Sequence, residues 1–171
     1  VVGEAIKVIA SGKSTTLKFN VSDEEALNIG LTCGGSVSVL INPVDPDGIL
    51  KELALNIAKR TPLSIITKLS SGEQSLASAA NHPDTLSNEL VQSGLDAINS
   101  RVSSIKDDAG EQYFIHAFPP APRIFVVGAG HIAQALCPMA NIAGFDVTII
   151  DPRPAFITEQ RFPGINPDNL A

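Results

Sequence analysis

The sequence predicts an α/β protein in two parts: an N-terminal α+β domain over residues 1–118 and a parallel βαβ unit over residues 123–171. Three observations carry this expectation. Helix-like and strand-like stretches alternate irregularly in the first part. The stretch Pro119-Pro120-Ala121-Pro122 then interrupts the pattern. Beyond it, two short, continuous apolar runs flank a single helical stretch. Proline is stiff and cannot donate to a sheet ladder, so residues 119–122 suit a linker.

Each element follows from local pattern. Val2 to Ala10 carries apolar residues at helical spacing, with Gly12 as a C-terminal stop. Ser14 to Phe19 alternates and is β-rich, which predicts a strand. Ser22 followed by Glu25 is a capping-box pattern and predicts a short helix over Asp23 to Ile29. A glycine-rich loop, Gly30 to Gly35, leads to a strand at Val37 to Ile41. Ile49, Leu50, Leu53, Ala54, Ile57 and Ala58 share one face of a helix predicted over Asp47 to Arg60. Leu63 to Leu69 is the next strand, and Asn81-His82-Pro83 a breaker. Leu86, Leu90, Val91, Leu95 and Ile98 mark a second amphipathic helix. Arg101 to Ile105 and Tyr113 to Phe118 are expected to pair as a hairpin across Asp107 to Gly110.

Composition narrows the function classes. A hydrophobic fraction of 44% is enough for a buried core, and the apolar runs are far too short for a membrane span. The net charge of −6 is spread along the chain, without a basic stripe. The phosphate attraction that dominates nucleic-acid affinity is therefore missing. No charged segment followed by an apolar one opens the chain, and Cys33 and Cys137 are far apart, outside any C-x-x-C. A cytoplasmic protein with reduced thiols is expected. The chain opens at Val1 without methionine and closes at Ala171 with only one βαβ unit written, so a truncated piece of a larger protein is expected.

The second part carries the clearest chemistry. Ile124 to Val127 and Val147 to Ile150 read as buried parallel strands, with His131 to Ala143 as the connecting helix and Pro138 inside it. Between the first strand and the helix stands Gly128-Ala129-Gly130-His131-Ile132-Ala133, a G-x-G-x-x-A pattern. Gly128 permits a tight turn, Gly130 a close approach to a pyrophosphate, and Ala133 a close helix–strand contact. Asp151, 23 residues after Gly128, stands where a ribose-binding carboxylate is expected. Strand, turn, helix, strand and acid in this order define a Rossmann-type unit. Two uses remain open: a cleft for a phosphate-bearing ligand, or a scaffold kept for packing. His131, at the helix start, is placed to touch such a ligand.

The remaining residues are weaker signals. Cys33 lies between Thr32 and the pair Gly34 and Gly35, in a loop that would let a ligand approach the backbone. A small packed hydrophobe is the alternative. Cys137 and His116 are expected to pack, and His82 has no evident partner. Ser11-Gly12-Lys13-Ser14 imitates a P-loop tail, but Lys7 occupies the position of the first glycine. No catalytic triad, paired carboxylates or two-histidine metal spacing can be written from the sequence.

Gly30-Leu31-Thr32-Cys33-Gly34-Gly35 after Val21 to Ala26 is one half of a wider pattern. Val127 to Leu136, Gly144 to Thr148 and Asp151-Pro152-Arg153 form the other half. Together they resemble the XdhC/CoxI family over nearly the whole chain. The resemblance implies an accessory factor of xanthine dehydrogenase or carbon monoxide dehydrogenase, a chaperone without turnover of its own. Such a factor binds the molybdenum cofactor, as a pterin or its dinucleotide form, during sulfuration and insertion. Its implied partners are the apo-molybdoenzyme and a cysteine desulfurase, and a homo-oligomer is compatible with it. Cys33 becomes the residue expected to meet the molybdenum, because a thiolate is a soft ligand. Two other classes compete: an NAD(P)-dependent oxidoreductase, supported by the glycine pattern and Asp151, and a nucleotide-sensing module.

Overall fold

The structure, a computed structural model, describes residues 1–21, 35–43, 45 and 47–170. The helix expected over Asp23 to Ile29, and the loop holding Cys33 and Gly34, lie outside the described residues. Two compact units are present, Val1–Pro119 and Pro120–Ala171.

In the first unit, helix α1 (Val2–Ser11) ends where Gly12 adopts φ 67° and returns its N–H to the carbonyl of Val8. Only a residue without Cβ enters that region freely. Strands β1 (Thr15–Val21) and β2 (Gly35–Ile41) pair antiparallel, with Thr15 opposite Ile41. Helix α2 (Ile49–Ala58) follows, shorter at both ends than the periodicity suggests. Its end is fixed by Arg60, whose positive φ lets Thr61 N–H reach the carbonyl of Asn56.

Strands β3 (Leu63–Lys68), β4 (Gln74–Ala77), β5 (Ser104–Asp108) and β6 (Glu111–Phe118) form one antiparallel sheet in the order β4-β3-β6-β5. The pleat sends Ile66 and Ile115 to one face. There they pack with Leu90 and Ala97 of helix α3 (Asn88–Ser100). Leu63, Ile65 and Leu76 point to the other face, against Ile49 and Leu53 of α2 and Phe118. Ser87 caps α3, its hydroxyl accepting the N–H of Leu90 at 3.2 Å.

Two sequence expectations shift here. Arg101 belongs to no strand; it closes α3 in the left-handed region. The hairpin instead starts at Ser104 and turns on Ala109 and Gly110, at φ 48° and 80°. Two consecutive positive φ values match the right-handed twist of the strands, and the register Asp108 to Glu111 follows. Strand β4 was not expected from the sequence at all.

In the second unit, β7 (Arg123–Val127) and β8 (Asp146–Ile150) pair in parallel, with helix α4 (His131–Ile142) between them in sequence. Ala133, Cys137 and Ala140 of α4 pack with Val147 and Ile149, and Phe162 and Ile165 complete this core. Leu170 forms a parallel bridge to Ile149, opening a third strand position beside β8. The apolar runs are not buried throughout, as the sequence suggested. Ile124 and Val126 turn inward, whereas Phe125 and Val127 are exposed. Among the described residues only one face of the strand pair is covered. No described helix is long and apolar enough to cross a membrane.

Candidate functional site: the glycine-rich cleft

The site forms where β7 gives way to α4. Gly128, at φ 99°, makes the turn and donates its N–H to the carbonyl of Ile150 at 2.8 Å. This ties the ends of the two strands together. Ala129 is fully buried, and its peptide is held from both sides. Its N–H donates to Asp151 Oδ2 at 2.8 Å, and its carbonyl accepts Arg161 Nη2 at 3.0 Å. Gly130 begins the helix, its carbonyl accepting the N–H of Gln134 at 3.2 Å.

A helix leaves its first N–H groups without internal acceptors and carries a partial positive charge at that end. Those of His131 and Ile132 find no acceptor among the described residues. They border an open cleft of about 580 Å³ lined by Val126, Gly128, Gly130, His131, Leu136 and Arg153, among others. A Cβ built on Gly130 would meet nothing within 4 Å. The protein's own packing thus does not require glycine there, whereas a group seated in the cleft would. Ala133 does what the pattern asks, buried against the strands.

Asp151 lies at the end of β8 with its side chain almost wholly enclosed. Oδ1 accepts the backbone N–H of Arg153 at 3.0 Å and its Nε at 2.9 Å. Oδ2 accepts Arg153 Nη2 at 2.8 Å beside the Ala129 N–H. The Arg153 guanidinium, then the Ala129 N–H, hold the carboxyl far below the usual carboxylate range. The same pair raises the guanidinium further above its ordinary value. Arg153 stacks 3.9 Å over the ring of Phe156, and 58% of its side chain remains exposed.

The structure therefore gathers Gly128, Gly130, His131 and Asp151 around one loop. Gly35 belongs to the first unit, at the start of β2, while Cys33 and Gly34 fall outside the described residues. The sequence pattern included Arg153 without giving it a site role, and did not include Arg161; a cation two residues after the strand-end acid was the available signal for the former. Among the described residues no group of three or more His, Cys, Asp or Glu is placed to hold a metal ion. Cys137 is buried in the core, and desolvation raises its thiol pKa.

A parallel βαβ unit with its glycine turn at a helix start defines a Rossmann-type domain. Residues 124–169 match the family model of the XdhC Rossmann domain. Within the C-terminal unit the chain is thus similar to the XdhC Rossmann domain. The chain is also similar to the crystal structure of a xanthine dehydrogenase from Bacillus halodurans, with a TM-score of 0.66 and 23% identity. The match covers 95% of this chain and 49% of that one, so this chain spans about half its length. At that identity the likeness is one of fold. Among curated proteins none matches this chain.

Proposed function

We propose that this chain serves as an accessory protein that holds the molybdenum cofactor during sulfuration and passes it to a xanthine dehydrogenase-like apoenzyme in the cytoplasm. The observation that supports this reading most is the glycine-rich cleft of a unit similar to the XdhC Rossmann domain, open where a phosphate group would sit. Gly130 and the N–H groups of His131 and Ile132 would hold the phosphate end of the cofactor. The bound group supplies the molybdenum chemistry; the residues named here bind and orient. Cys33, with Gly34 beside it, is the proposed contact to the metal, and a cysteine desulfurase the proposed source of sulfur.

The test is native mass spectrometry of the protein purified from a host that makes the molybdenum cofactor. A bound molybdenum pterin is expected, with less molybdenum per protein in Cys33→Ser. Protein carrying only a nicotinamide dinucleotide, or no small molecule, would overturn the reading.

A further inference from the structure

The acid at the end of the second Rossmann strand is not free to meet a ligand. A carboxylate offers about four lone-pair positions. All four donors that Asp151 accepts come from the protein itself: Ala129 N–H and the N–H, Nε and Nη2 of Arg153. A ribose diol needs an acceptor there and would find none open. Arg153 is in the opposite condition. Its Nε and Nη2 are committed to Asp151, and the Phe156 ring supports one face of the guanidinium. Nη1 has no partner among the described residues, and Arg153 borders the same cleft as Gly128, Gly130 and His131.

We infer that Arg153, clamped by Asp151, is the ligand-reading group of this cleft and selects a ligand bearing a phosphomonoester over one offering a bare hydroxyl. The fork is oriented before binding, so little side-chain freedom is lost when the anion arrives. Two sources present this chemistry: a ribose 2′-phosphate on a dinucleotide, or the terminal phosphate of a pterin. The inference rests on the cleft being a phosphate site, but not on the ligand containing molybdenum.

The experiment compares two matched pairs by calorimetry on the whole chain: NADP+ with NAD+, and a pterin phosphomonoester with the same pterin dephosphorylated. The phosphorylated member of at least one pair should bind on the order of tenfold tighter. Arg153→Ala should abolish that difference, and Arg153→Lys, which keeps a charge beside Asp151, should retain part of it. Discrimination in the pterin pair supports both this assignment and the cofactor reading. Discrimination in the dinucleotide pair alone keeps Arg153 as the reader and counts against the molybdenum cofactor. Equal binding within both pairs by the parent protein, or a difference that survives in Arg153→Ala, would overturn the assignment. The parent comparison decides even if a variant fails to fold.

Discussion

Arg161 and Ala129 stand 32 residues apart, yet the Arg161 guanidinium donates to the Ala129 carbonyl at 3.0 Å. It also donates to the Phe156 carbonyl at 3.1 Å and to Gln134 Oε1 at 3.3 Å. One side chain thus fastens the glycine turn, the first turn of α4 and the segment after β8. Arg161→Ala should lower the unfolding free energy by about 1–2 kcal/mol, since the Ala129 carbonyl loses its acceptance of a charged donor. Thermal melts of parent and variant check this. Ligand affinity should fall as well, because the turn loses one of its restraints.

The two glycines of the turn should separate binding from stability. Gly130 has an ordinary φ of −79° and open space for a side chain. Gly130→Val should therefore leave the melting temperature nearly unchanged while blocking ligand entry. Gly128 sits at φ 99°, where any L side chain is strained whatever the space around it. Gly128→Ala should cost about 1–2 kcal/mol of stability. Paired calorimetry and melting curves distinguish the two outcomes; equal loss of stability in both variants would contradict them.

Gly94 of α3 offers a packing test far from the cleft. A Cβ there would come within 2.5 Å of Ser64 Oγ, a buried hydroxyl that donates to the Ala77 carbonyl, and 3.2 Å of Ile66 Cδ1. Gly94→Val should destabilise by about 1–3 kcal/mol through overpacking. Gly94→Ala should be milder, because better helix propensity offsets part of the clash. Adding Ser64→Ala removes the closest atom and should make Gly94→Ala less costly, a coupling that a double-mutant cycle measures.

His116 supplies a pH dependence. Its ring stands between Phe114 and Phe118, with centroids 5.6 and 4.1 Å away, and desolvation lowers its pKa. The hollow it borders is lined by Ser38, Asn42, Thr67 and Gln74 with apolar neighbours, and among the described residues lining it none carries an acidic or lysine or arginine side chain. The folded state therefore binds the proton more weakly than the unfolded chain. Its contribution is complete above the unperturbed histidine pKa of about 6.5 and declines as pH falls through the lower folded value. Urea midpoints between about pH 5 and 8 should show this slope, and His116→Phe should flatten it.

Much of this was readable beforehand, for physical reasons that differ by element. Helix α3 announced itself through the spacing of Leu86, Leu90, Val91, Leu95 and Ile98, a local feature. Strand β4 did not, because four residues without clear alternation become a strand only through pairing with β3. The hairpin shifted because the left-handed Arg101 and the Ala109-Gly110 turn, not apolar content, set its register. Apolar runs at β7 and β8 marked strands correctly but could not say that one face would be left uncovered. In the site, the glycines and Asp151 were visible as a motif. The roles of Arg153, seen only as part of the wider pattern, and of Arg161 were not, since an arginine gains its role only from what the fold brings beside it.

Phe162 and Ile165 belong to no helix or strand, yet they close the core behind β7, α4 and β8. A two-stranded sheet has little stability alone. During synthesis β7, α4 and β8 leave the ribosome first, with the inner faces of Ala133, Cys137 and Val147 still uncovered. Phe162, twelve residues beyond the end of β8, supplies the ring that covers them. Arg161, which fastens the glycine turn, directly precedes it, so one short irregular segment both restrains the cleft and closes the core.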